Sequence, residues 1–298
     1  MKKYILVLLI LLLSTLCYAA LDTFEGETIT DANNIEGCTT CDTIDGQVKK
    51  AAVAGTDFTQ DANCMGAWYM NADTTADEVD RTSNGNTLAV YAEESIEQAA
   101  TFVSGFSGNS RDFTATDEEF LYIADGTELD INGANQSLSI VAYVKVETAP
   151  EEGSYRGIVT KYRASTDQRQ YALNAVGTGS SQFEFRLTLS DTSAAGTAAE
   201  SVSSTTITYV AGTTYHVAVV YNDTDMRIYV DGLLACEPLA KTDGTFNGST
   251  AFYIGYFPTA SWFDGLIDEV AVFNDALSAA EVLEIATYGI SGNKGGND

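Results

Sequence analysis

Thr214-Tyr-His-Val-Ala-Val-Val-Tyr221 and Met226-Arg-Ile-Tyr-Val230, separated by the polar turn Asn222-Asp-Thr-Asp225, read as two strands rich in β-branched and aromatic residues. Ala251-Phe-Tyr-Ile-Gly255 and Gly265-Leu-Ile-Asp-Glu-Val-Ala-Val-Phe273 continue the ladder. The run Leu277-Ser-Ala-Ala-Glu-Val-Leu-Glu-Ile-Ala286 closes it with a helix. Ser278-Ala-Ala-Glu281 is a capping box, and Leu277 and Val282 occupy the positions of a hydrophobic staple. Successive β-rich segments between Asp, Asn and Gly turns predict an antiparallel all-β domain.

The same pattern extends upstream. Cys64-Met-Gly-Ala-Trp-Tyr-Met70 is a short aromatic strand, and Asp80-Arg-Thr-Ser-Asn-Gly-Asn86 is turn chemistry. Strands are expected near Glu119–Ile123, Ser137–Val146, Gly157–Tyr162, Gln170–Asn174 and Gln182–Leu189. In the second of these, Leu138, Ile140, Ala142, Val144 and Val146 keep period two and line one face. Asp191–Ser204, mostly Ser, Thr, Ala and Gly, reads as a mobile loop. So many strands without internal helices bury their faces only by packing sheet on sheet. The expected core is Phe185, Leu187, Val217, Val219, Ile228, Val230, Ile254, Ile267 and Val270.

In order and spacing, these segments resemble the laminin-G-like members of the concanavalin A-like lectin and glucanase superfamily. Gly66-Ala-Trp68-Tyr69 is similar to the family's opening strand, and Asp80–Asn86 to its Asp-x-Ser-Gly-Asn turn. Arg227-Ile-Tyr-Val-Asp-Gly232, Tyr253-Ile-Gly255 and Phe263-Asp-Gly-Leu-Ile-Asp-Glu-Val270 resemble its back half. The resemblance covers residues 64–288. It implies an all-β, two-sheet antiparallel jelly-roll sandwich of concanavalin A-like form, with a short C-terminal α-helix and a small N-terminal extension.

Lys2 and Lys3, the apolar run Tyr4–Leu13 and Cys17-Tyr-Ala-Ala20 form a secretory signal peptide, cut after Ala19 or, alternatively, Ala20. Leu16 is bulky where a lipobox requires a small residue, so Cys17 reads as part of the cleavage region. No later apolar stretch is long enough to span a bilayer, which predicts a secreted or cell-surface protein with no transmembrane anchor. With 15 Lys and Arg against 42 Asp and Glu, the chain has no basic field for nucleic acid or anionic membranes. Cys38, Cys41, Cys64 and Cys236 remain after cleavage and are disulfide candidates with three possible pairings. Phe24-Glu-Gly26, Ile35-Glu-Gly37 and Ile44-Asp-Gly46 form a small imperfect repeat. The expected organisation is a signal peptide over 1–19, a stalk or adaptor over 20–63, the jelly-roll over 64–288 and a flexible tail over 289–298.

Catalysis finds little support in the residues. The glucanase branch implied by the resemblance carries Glu-x-Asp-x-x-Glu on one strand, whereas Glu78-Val-Asp80-Arg81 lacks the last Glu. Asp268 and Glu269 are adjacent, which on a regular strand points them to opposite faces. His216, the lone histidine, reads as a half-buried strand residue rather than a base. The resemblance also implies one structural calcium ion, with Asp80, Asn86 and Asp268 as its candidate ligands. The loop Tyr256-Phe-Pro-Thr-Ala-Ser-Trp-Phe263 concentrates aromatics beyond what solubility requires. Tyr256, Trp262 and Asp264 are therefore the candidate contacts to a glycan or glycoprotein ligand, with Phe263 turned inward. The expected function is lectin-like recognition or adhesion. The alternative is a structural subunit that self-associates through residues 20–63, and a polysaccharide-degrading glycosidase is the third reading.

Overall fold

A computed structural model describes residues 41–44, 47–50, 55–72, 76–91, 103–104, 109–126, 129–131, 136–163, 168–190, 199–242, 245–246, 248–258 and 261–292. The signal segment, Cys38, the first two repeat units and the end of the tail lie outside these residues. The chain divides into two compact units, 1–53 and 54–298. In the first, β1 (Cys41–Ile44) pairs with β2 (Gln47–Lys50) as an antiparallel hairpin.

The second unit is built from β3 (Cys64–Trp68), β4 (Ala89–Tyr91), β5 (Val103–Ser104), β6 (Asn109–Phe113), β7 (Phe120–Ile123), β8 (Leu138–Val146), β9 (Tyr155–Arg163), β10 (Gln168–Gly179), β11 (Gln182–Leu189), β12 (Glu200–Ser203), β13 (Ile207–Thr208), β14 (Tyr215–Tyr221), β15 (Asp225–Val230), β16 (Leu233–Leu234), β17 (Leu239–Ala240), β18 (Phe252–Ile254), β19 (Tyr256–Phe257), β20 (Ser261–Trp262) and β21 (Gly265–Phe273), followed by α1 (Ala279–Tyr288). One sheet runs β12-β11-β10-β9-β18-β7-β4, with β13 added to β11. The other runs β16-β15-β14-β8-β21-β6-β5, with β17 on β15 and β3 on β21. The ladders are antiparallel, and the two sheets face each other across one core, as the jelly-roll expectation requires.

The period-two reading of β8 holds. Leu138, Ile140, Ala142, Val144 and Val146 all enter the inter-sheet core, where they meet Phe185, Leu187, Val217, Val219, Ile228, Ile254, Ile267 and Val270. Val230 packs against that core half-buried. The opposite face of the same sheet carries Val141, Ala218, Val220, Ala271 and Phe273, covered by Leu277, Val282 and Ile285 of the helical segment. The capping box forms as read: Ser278 Oγ accepts from Glu281 N, and Glu281 accepts from Ser278 N. Leu277 and Val282 lie in one cluster, as a staple requires.

Four readings change. Glu200–Ser203, assigned to a loop from composition, is an edge strand, because Val202 reaches the core and pairs with Leu187. The folded unit also extends past 64–288 at both ends. Gly55 N donates to Gly292 O (2.6 Å), Phe58 N donates to Ile290 O (2.8 Å), and Ile290 is fully buried. Residues 289–292 are thus held, not part of a free tail. Cys64 and Cys236 are free thiols. Cys64 lies in the helix-side cluster and Cys236 packs against the inter-sheet core, so the sheet separates them. Burial pushes the Cys64 thiol up to about 12, and the charge of Asp80 adds to the shift. Cys38 and the side chain of Cys41 lie outside the described residues.

His216 is the fourth. It is fully buried on β14, its ring lies 4.8 Å from that of Tyr143, and neither ring nitrogen has a hydrogen-bond partner. Tyr143 in turn donates to Ile285 O at the end of α1 (2.8 Å). Burial lowers the imidazole pKa from 6.5 to about 3. Because the folded value is depressed, the stability contributed by neutral His216 is complete above pH 6.5 and is lost as pH falls toward 3. Phe in place of His216 keeps the ring contact and removes the titration. Between pH 7 and pH 5 the wild-type chain should lose about 2 kcal/mol more stability than His216→Phe in urea unfolding. Equal losses in the two proteins would show that the imidazole is not the titrating group.

Candidate functional site

The strands of the eight-stranded sheet place aromatic residues on both faces. On β7, Leu121 and Ile123 turn to the core, so Phe120 and Tyr122 turn away from it. On β18, Phe252 and Ile254 turn inward and Tyr253 outward. Onto this outer face folds a hairpin, β19–β20, in which Tyr256 pairs with Trp262 and Phe257 with Ser261. The aromatic segment read from the sequence as a loop is therefore a two-stranded ribbon.

Particular residues hold the ribbon. Gly255, at φ +85°, redirects the chain out of β18, a conformation that favours glycine. Gly157 on β9 lies directly beneath it; a Cβ there would stand 2.2 Å from the Tyr256 carbonyl carbon. Thr160 Oγ1 donates to Tyr256 O (2.8 Å), Phe263 N donates to Gly255 O (2.8 Å), and Arg156 Nη1 donates to Trp262 O (3.2 Å). Phe263 is fully buried and anchors the ribbon in the core, the inward role expected of it.

Ring contacts continue from strand to strand. Tyr91 stacks on Phe120 (4.5 Å between centroids), Phe120 on Tyr256 (4.8 Å), and Tyr256 packs against Trp262 (5.7 Å). Tyr253 meets Phe120 and Tyr256 edge-on. Phe257 stacks against Tyr155 (5.6 Å) and Tyr162 (5.4 Å). Tyr91 is 40% exposed and the others are half-buried. Each pair contributes about 0.5–1.5 kcal/mol beyond its burial, which makes the surface firm. Burial pushes the Tyr162 phenol up, Arg169 opposes that and Tyr155 adds to it. Sequence reading found Tyr256 and Trp262 but missed Tyr91, Phe120, Tyr122, Tyr155, Tyr162 and Tyr253. The available signal was aromatics at the outward positions of strands whose inward positions were already apolar.

Asp264, the third candidate, turns elsewhere. Its Oδ1 accepts from Ala115 N (3.4 Å) and its carbonyl accepts from Glu147 N (3.0 Å). With Glu147 it raises the pKa of Asp112, a shift whose largest cause is burial.

The calcium candidates are divided. Asp80 Oδ1 accepts from Ala67 N (3.1 Å) and Thr82 N (2.9 Å), and Oδ2 accepts from Thr82 Oγ1 (2.9 Å) and Asn86 N (2.8 Å). Asn86 Nδ2 donates to Met65 O (2.7 Å), while Asn86 O accepts from Trp68 Nε1 (2.8 Å). These bonds clasp the turn onto β3 and fill the carboxylate's acceptor sites. Ala67 directs both its N–H and its C=O to Asp80 and Arg81, so the turn lies along the edge of β3 opposite β21, which carries Asp268. Among the described residues no group of three His, Cys, Asp or Glu is placed to hold a metal ion. Asp80 and Asn86 thus lie together at that turn, and Asp268 lies on the far side of β3 from them.

The other carboxylates are also engaged. Glu78 pairs with Arg111 (3.0 Å), both buried. At Asp268–Glu269 a β-bulge with Glu269 at φ +43° replaces the simple alternation expected there. Asp268 Oδ1 accepts from Glu269 N, and Glu269 Oε2 accepts from Ile290 N (2.7 Å).

Residues 121–283 match the laminin-G model described as the concanavalin A-like lectin/glucanases superfamily, and the chain belongs to that family. Among solved structures it is similar to the binding domain of Paraclostridial Mosquitocidal Protein 1 (TM-score 0.54, 9% identity, 75% of this chain and 52% of that one). It is likewise similar to a domain of botulinum neurotoxin type C, whose cell entry depends on two ganglioside molecules (0.53, 13%, 76% and 51%). A third is the botulinum neurotoxin DC binding domain in complex with rat synaptotagmin II (0.52, 12%, 76% and 51%). The chain spans about half the length of these neighbours, and the likeness is one of fold. No curated protein matches it by sequence.

Asp80→Ala leaves four donors without their acceptor and should cost about 2–4 kcal/mol of unfolding free energy. A chelator should leave the melting temperature of the wild-type protein within about 1 °C of its value in calcium, since four hydrogen bonds to Asp80 already hold the turn. A fall of several degrees with chelator would restore calcium to this turn.

Proposed function

We propose that this protein is a secreted, non-catalytic recognition module that binds a glycan or the glycan of a glycoprotein on the outer face of the eight-stranded sheet. The observation that carries this reading is the aromatic surface from Tyr91 through Phe120 and Tyr256 to Trp262. A sugar ring presents C–H groups on one face and hydroxyls around its rim. Aromatic faces are electron-rich and take the C–H groups, while polar side chains nearby take the hydroxyls. A contiguous aromatic surface that stays half-buried to exposed on an otherwise acidic protein marks an interaction site. Gangliosides and proteins bound by structural neighbours support a recognition role. The pairing of Glu78 with Arg111, and the bonds that hold Asp80, Asp268 and Glu269, support the absence of glycosidase chemistry. The predicted signal peptide supports export, and no helix of the described residues is long and apolar enough to cross a membrane.

A glycan array and titration calorimetry test the reading. Trp262→Ala should weaken binding by about tenfold or more while leaving the circular dichroism spectrum unchanged. Removal of residues 20–53 should leave affinity unaltered. No binding to any glycan, together with a discrete oligomer that depends on residues 20–53, would overturn the reading in favour of a structural subunit.

A further inference from the structure

Strand register places Ile123 of β7 opposite Phe252 of β18, and Tyr253 opposite Thr160 of β9. Tyr253 and Thr160 serve the outer face, where Thr160 Oγ1 holds the ribbon. Ile123, Phe252 and Lys161 therefore turn to the other side of the sheet. There, with Leu129 and Asn86, they line a cavity of about 210 Å³. Phe252, Leu129, Asn86 and Lys161 are buried, and the exposed segment Ala124-Asp-Gly126 forms the mouth. The cation in the wall has no donor left. Lys161 Nζ donates to Asp125 Oδ1, to Thr250 O (2.9 Å) and to Gly248 O (3.4 Å), which uses its three N–H groups, and Asp130 stands 2.9 Å away. Two oxygens of the wall are left over. Asp125 gives Oδ1 to Lys161, and its Oδ2 takes no hydrogen bond from the described residues. Asn86 bonds Asp80, Trp68 and Met65 through its backbone and Nδ2, and its Oδ1 likewise takes none from the described residues.

We infer that this cavity is a second binding site, separate from the outer face, and that it takes one uncharged polyol ring such as a neutral hexose. The wall offers acceptors and no free donor, so the ligand has to bring the hydrogens, as hydroxyl groups directed to Asp125 Oδ2 and Asn86 Oδ1. An anion would meet carboxylates with no donor to hold it. A hexose also has a C–H face, and Phe252, Ile123 and Leu129 supply the matching apolar wall. A cavity of about 150 Å³ holds a benzene ring and a water takes about 30 Å³, so there is room here for a pyranose in place of several waters. Asp125 is 37% exposed and the Lys161 side chain 1%. The buried ammonium thus fixes one oxygen of Asp125 and leaves the other to a ligand entering from solvent.

The test titrates glucose, galactose, mannose and myo-inositol into the isotope-labelled full chain and follows its amide resonances by NMR. At least one should give saturable shifts at residues 124–126, with a dissociation constant on the order of 1 mM for so small a ligand. Disaccharides ending in the same hexose distinguish a free sugar from a chain terminus: undiminished affinity names the terminus, and lost affinity the free sugar. Asp125→Ala should weaken binding by about tenfold or more. Ala124→Trp, a change at an exposed position that fills the mouth, should abolish it. Trp262→Ala lies on the other side of β18 and should alter the affinity by less than about twofold. Glucuronate should bind about tenfold more weakly than glucose. No saturable shift with any of the four ligands would leave the cavity to water and overturn the inference. Binding that survives both Asp125→Ala and Ala124→Trp, glucuronate bound as well as glucose, or calcium chloride alone saturating the same shifts would also overturn it. These results leave glycan binding on the outer face standing, whereas loss through Trp262→Ala would move the sugar there and overturn the second site alone.

Discussion

The rest of the structure depends on the two-faced alternation of β8 between β14 and β21. Its odd-even pattern sends Leu138, Ile140, Ala142, Val144 and Val146 into the core between the sheets. The residues between them serve the other side. Val141 joins the cluster under α1, Tyr143 reaches the Ile285 carbonyl, and Ser139 binds both Asp275 O and Leu277 N at the approach to the helix. A one-residue slip would move Ser139 and Lys145 into the core and take the helix anchors away together. A single register thus sets both the sandwich and its helical cover.

The opposite sheet uses the same alternation for a different purpose. Its inward residues complete the core, and its outward positions on β4, β7, β9 and β18 include Tyr91, Phe120, Tyr122, Tyr155, Tyr162 and Tyr253, where a solvent face would be polar. The β19–β20 ribbon extends that surface by laying Tyr256, Phe257 and Trp262 over β9, where only Gly157 leaves room for its backbone. Phe263 ties the ribbon to the core, so the recognition surface is positioned by the same packing that stabilises the fold.

Charge organises the remainder. The acid excess is met locally by ion pairs and by carboxylates that bind backbone N–H and hydroxyl groups, as at Asp80, where four hydrogen bonds hold a turn. His216, neutral and buried beneath the helix with neither ring nitrogen bonded, is a group that breaks this pattern. In a low-dielectric setting such a group is costly, and it connects structure to pH.

Local pattern sufficed for the strands of the back half, the capped helix, the period-two face of β8 and the inward turn of Phe263, because each follows from residues within a few positions of one another. Family resemblance added the sheet-on-sheet architecture. Tertiary structure alone decided which distant strands became neighbours: that Tyr91, Phe120 and Tyr253 would meet Tyr256 and Trp262, that Asp268 would stand across β3 from Asp80, and that Cys64 and Cys236 would fall on opposite sides of one sheet. Alternation determines which side of a strand a residue occupies. It carries no information about which strand lies next to it, and sites made across strands depend on that second fact.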